Sequence, residues 1–263
     1  SDVYKRQVGC VWFYGRPRKS NIGTFAEFIA IDQQDLALMP KNLTFEEAAS
    51  LPLVALTSLQ ALSDTLHLKK GQRVLIQAGA GGVGTVAIQI AKAMGLFVAT
   101  TVSEKGSSLV KKLGADQIID YKKQDFERVL SDIDAVFDTL GNTAVSKAFK
   151  IVKKGGGIVS ITANPNLNFY KTYKTDYHLT PLHGVILFFM GLKFDFLSFL
   201  YKVSYTQLFM KPSHSQLLTI KEMVEAGKII PVIDSIFTLK DINKAFKKLE
   251  DGHGSIEARN TNK

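Results

Sequence analysis

Apolar positions along this chain change their period repeatedly, and the changes predict its elements. Val74, Leu75 and Ile76 form a short run that reads as a buried strand; beyond a glycine-rich stretch, Val83, Val86, Ala87, Ile90, Ala91 and Met94 recur at helical spacing. The alternation continues with strand Phe97 to Thr101, helix Ser107 to Leu113, strand Gln117 to Asp120, helix Phe126 to Leu130 and strand Asp134 to Asp138. Helix Ala144 to Val152 and strand Gly157 to Ile161 follow, separated by Lys153-Lys154-Gly155-Gly156. After Asn164-Pro165-Asn166 comes an aromatic insertion, then a predicted strand from Tyr205 to Met210 that closes the sheet. Such alternation predicts βαβ units, and right-handed crossovers make them a doubly wound parallel sheet covered on both faces.

The two ends follow another rhythm. Residues 22 to 31 alternate as in a half-exposed strand, and Leu43 to Ala49 opens a helix with Thr44 placed to cap it and Glu47 three residues on. At the far end, helix Ser215 to Ala226, strand Val232 to Phe237 and helix Asp241 to Leu249 form a second α+β group. Both ends are expected to belong to one smaller domain wrapped around the doubly wound insert.

The stretch between the first strand and its helix carries the chemistry. Gly79, Gly81 and Gly84 match G-x-G-x-x-G, flanked by Gly82 and Val83. The first glycine permits a tight turn, the second lets backbone N–H groups approach phosphate oxygens, and the third lets helix and strand pack closely. The helix N-terminus adds unpaired donors and a dipole that favours an anion. A dinucleotide's pyrophosphate is therefore expected here. A glycine triplet alone is a weak signal; set between strand and helix it is a strong one.

Composition fits a folded domain with a substantial core: 263 residues, 46% of them hydrophobic. The formal charge of +9 comes mostly from scattered lysine pairs such as Lys69-Lys70 and Lys122-Lys123, which read as solvated surface, so nucleic acid is not expected as a partner. Cys10 is the sole cysteine, which excludes an internal disulfide and fits a reducing compartment; with no secretory signal visible, a cytoplasmic location is expected. Leu182 to Leu200 is rich in Leu and Phe, but Lys193 and Asp195 interrupt it. A helical cover or interface is expected there, with membrane-surface contact as the alternative, and no transmembrane span.

With these segments in order, the chain resembles the medium-chain dehydrogenase/reductase superfamily, and more closely its zinc-independent quinone-oxidoreductase branch. The likeness spans about residues 8 to 252. It rests on Gly23-Thr24-Phe25-Ala26-Glu27-Phe28, Ala48-Ala49-Ser50-Leu51-Pro52, Leu56-Thr57-Ser58-Leu59-Gln60-Ala61-Leu62, the glycine turn, Leu113-Gly114-Ala115-Asp116, Phe137-Asp138-Thr139-Leu140-Gly141, and Glu225-Ala226-Gly227-Lys228-Ile229 with Pro231. The resemblance implies an α/β fold: a doubly wound parallel Rossmann sheet inserted in a partial GroES-like α+β/β-barrel domain. Its expected bounds are a foreign leader at 1–7, GroES-like residues 8–52, a dinucleotide-binding domain at 53–212, and a return to the GroES-like domain at 213–263. Earlier strands of that domain are missing from the pattern, and His253-Gly254-Ser255-Ile256-Glu257-Ala258 stands where an apolar closing strand is expected, so the sequence reads as a fragment.

The resemblance also implies site residues. Thr57 matches the residue beside the nicotinamide, and backbone around Gly141, Ser160, Ile161, Leu208 and Phe209 is expected to line the same cleft. Tyr14 and Arg16 border it and are candidate donors, with no general acid assigned. At the end of the second strand, Ser103 takes the place facing the ribose, Lys105 supplies a cation, and Tyr121 matches the tyrosine by the adenosine phosphate, a set that suits NADPH over NADH. Glu104 complicates the choice, because a one-residue shift would aim its carboxylate at the ribose and favour NAD. Leu53 stands where zinc-dependent relatives offer a cysteine, and the histidines show no ligand spacing, so zinc is not expected.

Without a Lewis acid, hydrogen bonds must stabilise developing negative charge, which favours acceptors that are already activated. The expected reaction is hydride transfer from NADPH to a quinone or an α,β-unsaturated carbonyl, and the family resemblance implies a homodimer. The alternatives are a non-catalytic dinucleotide-binding or interaction protein and an alcohol dehydrogenase-like enzyme. Cofactor binding without turnover would mark the first, and a metal-ligand set the second.

Overall fold

The computed structural model of the chain describes residues 7–9, 32, 35–250 and 256–259. They form two units, one from the described parts of Ser1–Ser58, Gly81–Val86 and Met210–Lys263, the other from Leu59–Ala80 and Ala87–Phe209. The predicted strand at 22 to 31 lies outside the described residues.

The first unit opens with β1 (Gln7–Gly9) antiparallel to β2 (Leu36–Leu38), followed by α1 (Phe45–Ala49) and α2 (Pro52–Leu59). Thr44 caps α1 as its position predicts: Thr44 Oγ1 accepts from Glu47 N at 3.3 Å, and Glu47 Oε2 accepts from Thr44 N at 2.8 Å. This reciprocal box satisfies two donors that the helix end leaves unpaired.

The second unit contains β3 (Arg73–Ile76), most of α3 (Gly82–Ala93), β4 (Phe97–Val102), α4 (Glu104–Lys112), β5 (Gln117–Asp120), α5 (Phe126–Val129), β6 (Ile133–Asp138) and α6 (Asn142–Ala148). It continues with β7 (Val152–Ser160), α7 (Leu167–Tyr173), α8 (Pro181–Tyr201) and β8 (Ser204–Gln207). Six strands form one sheet in the order β5-β4-β3-β6-β7-β8, every pair parallel. Burial on both faces of such a sheet demands continuous apolar strands, which is why Val74, Leu75 and Ile76 are all 0% exposed. On the α6 and α8 side the core gathers Leu75, Ile119, Val136, Phe149, Ile158 and Phe194. Because β3 pairs with β4 on one side and β6 on the other, strand order reverses at β3. Ligands of doubly wound sheets bind beyond the carboxyl ends of strands at such a switch point.

Several bounds differ from expectation. Helix α6 stops at Ala148, and Val152 opens β7 where it was expected to end the helix. The Lys153-Lys154-Gly155-Gly156 run looks like a break, yet it is absorbed into β7 by a register shift against β6 between Ile133 and Ala135. Gly156 makes this possible: a Cβ there would stand 2.4 Å from the Asp134 carbonyl oxygen.

The chain returns to the first unit through α9 (His214–Glu225), β9 (Ser235–Thr238), α10 (Ile242–Glu250) and β10 (Ile256–Arg259). Strand β9 starts three residues later than Val232, and a short 3-10 turn at Leu239–Asp241 delays α10 to Ile242. Residues 256–259 do form a strand, parallel to β9, which corrects the expectation that this end lacks one. Pairing supplied by β9 outweighs its modest local β preference. Asn42 Nδ2 donates to Val224 O at 3.1 Å, and Lys41 N donates to Glu225 Oε1 at 3.0 Å, so the early and late parts of this unit are tied together.

Candidate nucleotide site

Strand β3 ends in a turn built on two threonines. Ala78 takes a left-handed φ of 51°, and its N–H donates to Thr101 Oγ1 at 3.1 Å. Gly79 N donates to Thr101 O at 3.0 Å, while Thr100 Oγ1 donates to Ile76 O at 2.7 Å. At Gly79 a Cβ would stand 2.1 Å from Thr100 Oγ1 and 3.1 Å from the Ile88 side chain, so no other residue fits this path unaltered. Beyond the turn α3 begins, and Thr85 N donates to Gly81 O at 2.9 Å. The N–H groups of Gly82, Val83 and Gly84 precede the first possible intrahelical acceptor and carry no hydrogen bond among the described residues. Free donors on a side-chain-poor turn at a helix N-terminus fit a diphosphate. Expected residues Gly79, Gly81, Gly82, Val83 and Gly84 thus lie on one continuous turn.

Gly106 belongs with them although no local motif marks it. A Cβ at Gly106 would stand 2.8 Å from Ala80 Cβ, so the first turn of α4 packs directly on the glycine loop. Thr100 and Thr101 were equally hidden, because two β-branched residues at a strand end read simply as strand.

The end of β4 forms a second station. Ser103 is the N-cap of α4, yet its hydroxyl makes no capping hydrogen bond. Tyr121 N donates to Val102 O at 3.3 Å, which brings Tyr121 to the same strand end, with its side chain exposed. Glu104 reaches to Lys123, 2.9 Å away, in an exposed ion pair. Lys123 is raised from the usual lysine range, first by its hydrogen bond to Glu104 and then by that carboxylate's charge. In this arrangement the Glu104 carboxylate turns to Lys123 while staying largely exposed. Lys105 is exposed on the first turn of α4.

The third station joins the ends of β6, β7 and β8. Asp138 is 0% exposed and accepts from Gly141 N at 3.0 Å, Leu140 N at 3.1 Å and Ser160 Oγ at 2.6 Å. Ser160 Oγ in turn accepts from Thr162 N at 3.2 Å and Ala163 N at 2.9 Å. Ile161 N donates to Asp138 O at 3.2 Å, and Leu208 N donates to Ser160 O at 2.8 Å. Phe209 N donates to Tyr173 Oη at 3.1 Å. Gly141, with φ 101°, has the backbone that glycine favours. Burial pushes the Asp138 carboxyl up, against the lowering effect of its donors. Gly141, Ser160, Ile161, Leu208 and Phe209 thus lie together around the buried Asp138, which the sequence shows only within the motif Phe137-Asp138-Thr139-Leu140-Gly141. An acid closing an otherwise apolar strand was the available signal.

Thr57 is 6% exposed and donates within its own helix to Leu53 O at 2.7 Å. Tyr14 and Arg16 lie outside the described residues. Among the described residues, no three His, Cys, Asp or Glu side chains cluster so as to hold a metal ion.

Gln77, just before the turn, is 0% exposed, and neither Oε1 nor Nε2 of its side chain has a partner among the described residues. An unpaired buried amide is unfavourable by about 1–3 kcal/mol. Gln77→Met keeps the volume and removes that penalty, so urea unfolding should show a gain of about 1 kcal/mol; a loss of stability would mean that water or ligand satisfies the amide.

A switch-point glycine turn on a six-stranded parallel sheet defines the class: a doubly wound, Rossmann-type α/β protein. A zinc-binding dehydrogenase family model matches residues 113–254. The chain belongs to that family, within the medium-chain dehydrogenase/reductase superfamily, as its motifs predict. It is 35% identical over 252 residues to NAD(P)H oxidoreductase RTN4IP1, mitochondrial, of Danio rerio, covering 92% of this chain and 63% of that protein. It is 40% identical over 159 residues to NADPH-dependent alkenal/one oxidoreductase, chloroplastic, of Arabidopsis thaliana, covering 59% of this chain and 40% of that protein. The solved quinone oxidoreductase from Coxiella burnetii is similar at a TM-score of 0.70 and 29% identity, covering 87% of this chain and 65% of that one. The chain thus spans under two thirds of the length of these relatives.

Proposed function

We propose that this chain is part of an NADPH-dependent oxidoreductase that transfers hydride to a quinone or an α,β-unsaturated carbonyl without a metal. Relatives named as NAD(P)H and alkenal/one oxidoreductases support the general class. The observation that supports the cofactor choice is at the end of β4: a Ser103 hydroxyl that makes no capping hydrogen bond, with Glu104 paired to Lys123. In this reading the amides of Gly82, Val83 and Gly84 hold the diphosphate. Ser103, Lys105 and Tyr121 receive the 2′-phosphate, Lys105 acting as a point charge. The Gly141 and Ser160 loops orient the far end of the cofactor. Bound NADPH would supply the hydride. Backbone donors would stabilise charge on the acceptor oxygen, with the proton drawn from water.

Lys105→Ala is expected to weaken NADPH at least about tenfold, the loss of one close charge pair of about 1.4 kcal/mol, with NADH little changed. Fluorescence titration with both nucleotides tests it, and equal losses for the two would remove the phosphate assignment. NADPH oxidation over a panel of quinones and enones tests the acceptor class. Binding without turnover across the panel would leave the non-catalytic reading standing.

A further inference from the structure

Helix α8 turns a narrow face inward. Its Gly184 lies against the Tyr170 ring, where a Cβ would stand 3.1 Å away, and at Gly191 a Cβ would stand 2.3 Å from Asn166 Cα. Phe194 is buried, and Asp195 accepts from Asn166 Nδ2 at 2.7 Å. The opposite face is apolar and in water. Leu182, Ile186, Phe189, Phe196 and Phe199 are 49–83% exposed and recur at three, four and seven residues, a single stripe along the helix. From Leu182 to Phe199 the stripe runs about 26 Å along the helix. A soluble monomer rarely leaves so large a continuous apolar surface in water.

The exposed charges on and near α7 and α8 are mostly basic, with Asp176 the exposed acid among them. Lys193 is exposed beside Phe189 and Phe196, Lys202 follows the C-terminus of α8, and Lys171 and Lys174 are exposed on and just after α7, which packs against α8. None of the four has an acidic partner among the described residues.

We propose that α8 lies flat on a lipid bilayer bearing anionic headgroups, with the Phe stripe at the acyl boundary and the lysines among the phosphates. Amphipathic helices with aromatic and basic residues bind in this way, and long lysine side chains reach back to the headgroups. By length and composition the helix could cross a membrane, with a mean hydropathy of 1.6. Its inward face, however, is held by Tyr170 and Asn166, and a span would have to strip Asp195 from its donor. A second copy fits less well than lipid. A two-fold axis through the helix midpoint would bring each Lys193 towards its own counterpart with no acid to neutralise it.

Vesicle flotation of the 263-residue chain tests the proposal, with phosphatidylcholine alone and with about 30% phosphatidylserine added. The chain should float with the anionic vesicles and at least about tenfold less with the neutral ones. Phe189→Gln/Phe196→Gln/Phe199→Gln changes only exposed positions and should lose flotation at least about tenfold. Lys193→Gln/Lys202→Gln should bring anionic vesicles close to the neutral level. No flotation of the unaltered chain, or flotation of either variant with anionic vesicles equal to that of the unaltered chain, overturns the proposal. So does resistance to alkaline carbonate extraction, which would mean a span, and so does self-association in sedimentation that the Phe variant abolishes without any vesicle binding.

Discussion

Gly79→Ala should weaken NADPH binding at least about a hundredfold and destabilise the fold by about 2–4 kcal/mol, the sum of an overpacked contact and a broken hydrogen bond. The new Cβ would lie 2.1 Å from Thr100 Oγ1, which is itself bonded to Ile76 O. If Thr100 rotates away, the buried Ile76 carbonyl loses its side-chain donor. If the turn moves instead, Ala78 N and Gly79 N leave Thr101, and the free amides at the start of α3 are re-aimed. Both routes damage the same cradle. Thr100→Ala added to Gly79→Ala removes the hydroxyl but leaves a tight 3.1 Å contact with Thr100 Cβ, so about half of the stability should return. Urea unfolding and nucleotide titration of the four proteins complete the cycle. Wild-type NADPH affinity in Gly79→Ala would show that the diphosphate is held elsewhere.

Asp138 is the second position with a large expected effect. Its carboxyl group joins the loop after β6 to the loop after β7 through Gly141, Leu140 and Ser160. Asp138→Ala leaves the buried Gly141 N–H and the part-buried Leu140 N–H without this acceptor and frees the Ser160 hydroxyl, so a destabilisation of about 2–4 kcal/mol is expected, with a raised KM for NADPH as both loops lose their anchor. The pH dependence follows from the upward shift caused by burial. Below the unfolded carboxyl value of about 3.9, both states are protonated and this group's stabilisation is fully present. As pH rises towards the raised folded value, the unfolded chain ionises first and the stabilisation is lost. Asp138→Asn cannot ionise, so wild-type stability minus Asp138→Asn stability should fall as pH rises above about 4. A flat difference curve, or one that rises, would mean that the donors around Asp138 outweigh its burial.

Much of the nucleotide turn was legible because its signals are local. An apolar triplet, a glycine spacing and a helical period occupy one stretch of about twenty residues, and each has a direct steric or dipolar meaning. Gly106, Thr100 and Thr101 were not legible for the opposite reason. Their importance lies in what they touch across strands, at Ala80, Ile76 and Gly79, and nothing in their neighbours along the chain records it. The end of α6 is not legible locally because Gly155-Gly156 resembles a loop, whereas close approach of Gly156 to the Asp134 carbonyl lets this run continue as β7.

By itself the sequence determined the alternation of strands and helices, the parallel sheet and the place of the glycine turn, since these depend on periodicity and on conformations that only certain residues adopt. The tertiary structure decided the rest. It paired Glu104 with Lys123, placed Asp138 between two loops, and left one side of α8 exposed among the described residues. Those outcomes depend on which groups meet across long separations in the chain, and contacts of that kind are set by packing geometry after the local pattern has done its part.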